Sequence, residues 1–385
     1  MAFAAASSEH PLATHAVGEV IGQVLEQLGE APDIAVLFVT AGFAGATEDV
    51  AGAVRKLLRP GLLVGATAAS VLANQREIED RAAISLFAAS WGRRLRIGPG
   101  GARAVRLDAA REGEGWRITG SDELAEAGAT LMLLADPFSF PVDDFVDAMH
   151  VREPGLTIVG GLASAASGPG GNRLVADDVV VDQGAVGLLL PSGVPATAVV
   201  SQGCRPIGAP FVVTAARGNV IEEIAGVAAL DRIQETARAA DPDDLPLLAG
   251  ELLLGVVVDE HRDEFGPGDF LIRRVLGGDR ERGAVVIDSE SAVGTTVQLH
   301  VRDAAAAEMD LLAALDEHPG AAALVFNCTT RGSNLFENPH HDAELITAHV
   351  SASVTAGMFS AAEIGPVGGR PFVHRNSAAV LVLNE

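Results

Sequence analysis

The stretch "VLFVTAGF" (Val36–Phe43) returns 95 residues later as "LMLLADPF" (Leu131–Phe138), and the same shift lays "LLVGATAAS" (Leu62–Ser70) on "TIVGGLASA" (Thr157–Ala165) without a gap. Each run is apolar and of strand length, and a helical segment, "EDVAGAVRKLL", fills the interval between Thr47 and Pro60 in the first copy. Acid pairs Glu48–Asp49 and Asp143–Asp144 fall in register at the start of that helix, where negative charge suits the dipole. "AAISLFAA" supplies a third strand, and "GAVGLLL" (Gly184–Leu190) is its counterpart after a glycine-rich insert. A looser third copy ends the sequence: "AALVFNCTT", a helix from about His341 to Val354, "GMFSAAEIG" and the strand "AAVLVL". A strand–helix–strand unit used three times is the organising pattern.

Ahead of the first copy, Val17, Val20, Ile21, Val24, Leu25 and Leu28 recur at helical spacing, with Gly29 as the stop. Between the second and third copies, "ARGNVIEEIAGVAALDRIQETARAA" reads as helical with an interruption near Ala225–Gly226, and "DPDDLP" as a linker. Four strands follow, in "GELLLGVVVDE", "DFLIRRVLGG", "RGAVVIDS" and "AVGTTVQLHVRD", then a helix in "AAAAEMDLLAALDE". Strands outnumber helices and hairpin-like links are frequent. The expected class is α+β, with mixed and largely antiparallel sheets flanked by helices. A chain of 385 residues and 39.5 kDa exceeds one ordinary core, so two domains are expected.

The formal charge of −24 is spread along the chain and repels nucleic acid and anionic lipid, so neither is an expected partner. Only Cys204 and Cys328 occur, far apart, with no CxxC motif, which fits a reducing cytoplasm. The first residues lack a basic leader with a long apolar core, and Glu251 interrupts Leu245–Val258, so neither secretion nor membrane spanning is expected.

Three C-terminal stretches, "FLIRRVLGGDRERGAVVIDSESAVGTTVQLHVRDAAAAEMDLLAAL", "FNCTTRGSNLF" and "AAEIGPVGGRPFVHRNSAAVLVL", closely resemble the C-terminal domain of the FIST sensory family. "LLVGATAAS", "TIVGGLASAASGPGGNRL" and "VVSQGCRPIG" are similar to that family's N-terminal domain. The resemblance implies paired domains, 1–215 and 216–385, that bind a small polar metabolite such as an amino acid, working with a signalling partner. It implies no catalytic residues and no cofactor.

The chemistry concentrates in "NCTTRG". A turn after a buried strand presents backbone N–H groups, the hydroxyls of Thr329 and Thr330, and the Arg331 fork, a set suited to a carboxylate, with Gly332 allowing close approach. Alternatively, Arg331 pairs with an internal acid and the threonines satisfy the turn. Glu363 follows the neighbouring strand, so its carboxylate would meet a ligand ammonium, or else simply pair with Arg331. His374 and Asn376 lie near the chain end, and Asn172 follows the second "GPGG"; all three are further ligand candidates. Cys328 is a candidate ligand contact, or a nucleophile if Arg331, His340, His341 or His374 activates it. A thiol enzyme and a protein adaptor are the competing functions. His340, His341 and Glu344 share a helix start but lack zinc spacing, so no metal is expected. The "GPGG" runs match neither phosphate-loop nor dinucleotide spacing.

Overall fold

Six- and seven-residue apolar runs with every position buried build the centre of each copy, as expected of strands covered on both faces. The computed structural model describes residues 1–384 apart from 93, 94, 114, 263 and 267. It contains two compact units. Unit one comprises Met1–Val200, Leu312–Val373 and the end of the chain from Ser377; unit two comprises Ser201–Leu311 and His374–Asn376. The expected halves therefore do not coincide with the compact units, because the third copy pairs with strands of the first two.

The first copy contains β1 (Ala2–Ser8), β2 (Ile34–Thr40), β3 (Leu62–Ala68), the hairpin β4 (Val71–Ala73) and β5 (Arg76–Ile78), and β6 (Ile84–Ser90). The second contains β7 (Arg103–Glu112), β8 (Gly115–Thr119), β9 (Thr130–Ala135), β10 (Thr157–Leu162), the hairpin β11 (Leu174–Ala176) and β12 (Val179–Val181), and β13 (Ala185–Leu190). β14 (Ala196–Ser201) follows.

Unit two is all antiparallel: β15 (Cys204–Arg217), β16 (Val220–Ile224), β17 (Val227–Ala228), β18 (Leu253–Val257), β19 (Phe270–Asp279), β20 (Ala284–Ile287) and β21 (Thr296–Arg302). Long β15 pairs with β21 through its first half and with β16 through its second, so β15, β21, β18, β19, β20 and β16 close into a barrel. Closure removes the open edges that a sheet of this size would leave. It also corrects one expectation. Val220–Ile224 is a strand, not helix, and a turn with Ala225 at φ 50° and Gly226 at φ 71° separates it from β17 and the helix Ala229–Arg238.

The third copy contains β22 (Gly320–Cys328), β23 (Val350–Ser360), the hairpin β24 (Glu363–Val367) and β25 (Arg370–His374), and β26 (Ala378–Leu383). Its helix ends at His349, not Val354, because β-branched Val350, Val354 and Thr355 join the parallel ladder beside β22.

In each copy the two strands flanking the helix lie parallel, and the copy's last strand runs antiparallel beside the first of them. The hairpin is handed on. That of copy one pairs with β23, that of copy two with β3 and that of copy three with β10, an exchange that closes around unit one. One apolar core receives all three sheets, with Phe38 packed edge-on against Phe326 at 6.2 Å.

The register also corrects the ungapped repeat. Leu62 pairs with Ile34 while Thr157 pairs with Thr130, so the first strands match at a shift of 96 and only the second strands at 95. A one-residue slip exchanges the faces of a strand. With the shorter connection, Val36 and Phe38 share the central core with Met132 and Leu134, whereas Leu37 and Leu133 face helices on the outer sides.

Candidate functional site

Where parallel strands end, backbone groups and the first side chains of the following turn converge. In copy three, Arg331 N–H donates to Cys328 O (2.9 Å) and Thr329 N–H to Ser360 O (3.0 Å), making a tight turn. The turn buries Arg331 completely, while Thr329 and Thr330 stay half-buried. Gly332 takes φ 58°, and a Cβ there would lie 2.9 Å from both Glu79 Oε1 and the Phe359 ring, so the position requires glycine.

The internal partner of Arg331 is Asp342, the second residue of the helix His341–His349 and fully buried. Nε and Nη2 donate to its two oxygens at 2.7 and 2.9 Å, and Asn327 Nδ2 donates to Oδ2 at 3.0 Å. Burial alone would raise the Asp342 pKa; the Arg331 charge and the bonds from His341 and Arg331 outweigh it and hold the carboxyl at about 2. Phe336 roofs the guanidinium at 5.4 Å and stacks on His341 at 3.6 Å.

The hairpin from copy one latches this turn. Glu77 Oε1 accepts from Ala343 N–H (3.0 Å), His340 Nδ1 accepts from Glu77 N–H (3.1 Å), and Glu79 accepts from Ser333 N–H (3.1 Å) and Oγ (2.8 Å). Burial, aided by the nearby Asp342 charge, raises Glu77 to about 7. Glu363 is also fully buried, and its Oε2 accepts from Ser377 N–H (3.2 Å) and Oγ (2.7 Å). Burial pushes it up to about 8, although the bonds from Ser377 and Cys328 and the Arg331 charge act against that shift. Cys328 lies between these groups: its N–H donates to Ser377 O, and it pairs in register with Ser360.

Five buried side-chain atoms around Arg331 have no hydrogen-bond partner among the described residues: Glu77 Oε2, Asn327 Oδ1, Arg331 Nη1, Ser360 Oγ and Glu363 Oε1. Buried polar groups are ordinarily paired, so the cluster calls for an explanation. Surface clefts occur elsewhere on unit one, including one of about 520 Å³ lined by Glu48, Arg55, Lys56, Asp177 and Asp178, where Arg55 already bonds Asp178 at 3.1 Å.

Cys328, Thr329, Thr330, Arg331, Gly332 and Glu363 thus belong to one neighbourhood, but Arg331 and Glu363 do not form the anticipated ion pair. Arg331 turns its fork to Asp342, and Glu363 is held by Ser377. Asn172 lies at the end of copy two, where Nδ2 donates to Asp136 (2.9 Å) and Oδ1 accepts from Ala166 N–H (3.0 Å). His374 and Asn376 belong to unit two, where Asn376 donates to Glu251 (2.9 Å). Sequence reading missed Asn327, Asp342, Glu77, Ser360 and Ser377. An acid in the first turn of the helix after "NCTTRG" was a usable signal for Asp342; nothing local pointed to Glu77.

The repeated sheets of unit one and the barrel of unit two define a two-unit α+β protein with a buried polar turn. Models of the FIST N domain and the FIST C domain match residues 33–227 and 229–366, and the chain belongs to the FIST family, whose domains are small-ligand sensory domains. The boundary between the two matches falls within the strands and helix of unit two. The chain is similar to an uncharacterized protein of Mycobacterium bovis, 39% identical over 379 residues, covering 96% of this chain and 95% of the relative. It is also similar to an uncharacterized protein of Mycobacterium tuberculosis H37Rv, 38% identical over 380 residues and covering 97% of each. No helix among the described residues is long and apolar enough to cross a membrane.

Proposed function

We propose that this protein senses an amino acid or related small carboxylate, held at the turn Cys328–Gly332 of unit one. A guanidinium carries five N–H donors, and Asp342 takes only two, through Nε and Nη2. The observation that carries the reading is the remaining edge: Nη1 is fully buried and has no acceptor among the described residues. A ligand carboxylate there would receive charge-assisted bonds at a fully buried edge, with Thr329, Thr330 and Glu363 at its margins. Binding would favour the latched arrangement of the turn over an open one, which is how a sensor converts occupancy into a signal for a separate partner. Two cysteines without a disulfide fit action in the cytoplasm.

The test is a thermal-shift screen of amino acids and small carboxylates against the parent and Ser360→Ala. Removing an unpartnered hydroxyl should leave the unliganded protein as stable as the parent or slightly more so. It should weaken a ligand that uses the hydroxyl by about tenfold. Absence of any ligand-dependent shift in the parent would remove the reading.

A further inference from the structure

Of the five unpartnered atoms around Arg331, three are oxygens of Glu77, Asn327 and Glu363, one is the Ser360 hydroxyl and only one, Arg331 Nη1, is a donor alone. The Asn327 amide orientation follows from its bond to Asp342: Nδ2 faces a carboxylate, so Oδ1 is the atom left over. With the carboxyls ionised, the unmet demand is therefore mainly for donors. Charge points the same way. The Arg331 cation is matched by Asp342, so ionising either Glu77 or Glu363 would leave a buried negative charge without its own counter-ion.

We propose that the decisive group of the ligand is a primary ammonium, which enters beside Arg331 in exchange for a proton on Glu363. This rests on the ligand reading above and specifies it, for it makes the amino group indispensable and the carboxylate auxiliary. An ammonium offers three N–H donors and one positive charge, matching the excess of acceptors and the missing counter-ion together. Before binding, the proton is the counter-ion, in keeping with a carboxyl raised to about 8 by burial. The groups that bear on Glu363 are Arg331, the Cys328 thiol and the Ser377 hydroxyl and N–H. Those that bear on Glu77 are Asp342, Glu79 and Arg331, with His340 accepting from its backbone N–H. The exchange balances: the carboxylic acid loses a proton to solvent, the carboxylate gains the ammonium, and no covalent bond forms in the ligand.

The experiment uses matched probes on the full chain: alanine, ethylamine and propionate, and the larger trio leucine, 3-methylbutylamine and 4-methylpentanoate. Thermal shift and calorimetry in two buffers of different ionisation enthalpy are read together. The amino compounds should stabilise the protein and release up to one proton per site below about pH 8, with affinity rising up to tenfold per pH unit until that point. The deaminated acids should do neither. Glu363→Gln, whose amide oxygen can still accept from Ser377, should weaken the amino compounds at least tenfold and abolish proton release. Equal stabilisation by propionate and alanine, or amino-compound binding without proton release, would overturn this inference while leaving the small-carboxylate reading intact. No shift from any probe, with the broader amino-acid and carboxylate screen also silent, would remove both.

Discussion

At the ends of their parallel strands, the second and third copies of the repeat treat the same backbone position differently. Thr40, Asp136 and Cys328 occupy equivalent places by strand register. In copy two, buried Asp136 accepts from Phe138 N–H (3.2 Å), Ser139 Oγ (2.6 Å) and Asn172 Nδ2 (2.9 Å), and no side-chain atom of this group appears among the unpartnered ones. In copy one, the Thr40 hydroxyl closes locally on Ala83 N–H and O. Copy three instead gathers Asn327, Arg331, Asp342, Glu77 and Glu363 and leaves polar atoms unmet. The backbone unit is shared; polar completion is not. Function is therefore sought where the repeat departs from self-sufficiency.

The comparison breaks most visibly on charge removal. Arg331→Met should cost about 3–5 kcal/mol, because Asp342 would stay buried without its cation. Asn172→Ala in copy two removes hydrogen bonds without taking away a counter-ion and should cost only about 1–3 kcal/mol. Urea unfolding of both variants measures the difference, and Arg331→Met/Asp342→Leu should recover much of the loss. Equal costs for the two single variants would mean that the copies do not differ energetically.

Stability against pH sharpens the comparison next. Glu77 and Glu363 have folded-state pKa values raised to about 7 and about 8, so between their ordinary value of 4.5 and those limits the folded state binds more protons than the unfolded one. Their contribution is fully present below about pH 4.5 and is lost as pH rises through 7 and 8. Asp342 is held at about 2, so its contribution is present above 3.8 and disappears as pH falls toward 2. Stability should therefore peak near pH 4 and fall as pH rises from about 4.5 toward 8. Glu363→Gln and Glu77→Gln should each flatten the alkaline limb by an amount on the order of 1 kcal/mol or more. An unchanged limb in both would mean that these carboxyls titrate normally.

A smaller effect separates two left-handed glycines. Gly332 (φ 58°) and Gly170 (φ 72°) each impose about 1–2 kcal/mol on an L-residue. A Cβ at 332 also meets Glu79 and Phe359 at 2.9 Å, whereas one at 170 meets only Asp182 at 3.9 Å. Gly332→Ala should thus lose about 1–3 kcal/mol more than Gly170→Ala, through overpacking. Similar melting temperatures for the two would show that the copy-three turn is loosely held.

The repeat itself was legible because buried strands need continuous apolar runs, and "VLFVTAGF" and "LMLLADPF" carry them plainly. The one-residue offset was not, since both registers look equally apolar when both faces of a strand are covered, as at Leu37 and Phe38. The turn "NCTTRG" was found from its own residues. Its partners divide by distance along the chain: Asp342 sits eleven residues from Arg331, within reach of a local reading, but Glu77 arrives from copy one through the exchanged hairpin. His374 and Asn376 are near Glu363 in sequence and fall in the other compact unit, while the next residue, Ser377, bonds Glu363. A β-turn reverses direction within a few residues, so proximity in sequence past one carries little positional information.

The last prediction reads the same contrast through a thiol. Cys328 is 3% exposed, so an alkylating reagent reaches it only when the turn opens, and its labelling rate reports the opening equilibrium. If opening costs about 3–5 kcal/mol, labelling should be slower than for a free thiol by a factor on the order of 10²–10⁴. Half-exposed Cys204 would obscure this, so the measurement belongs in a Cys204→Ser background. The control is Thr40→Cys with Cys328→Ser, which puts a thiol at the equivalent place in copy one, where Thr40 is 1% exposed and a thiol can keep weaker forms of its Ala83 bonds. Near-equal burial makes static exposure a poor discriminator, and the rates then compare how readily each strand end opens. Cys328 should label faster than Cys at position 40, because unsatisfied polar groups favour water entering the third copy's turn. A ligand that completes the turn should slow Cys328 alone, whereas slowing at both positions would mean that it stabilises unit one globally. Faster labelling at position 40 would show that copy three is the more tightly sealed end, and its unpartnered atoms would then be cavities in packing rather than an opening site.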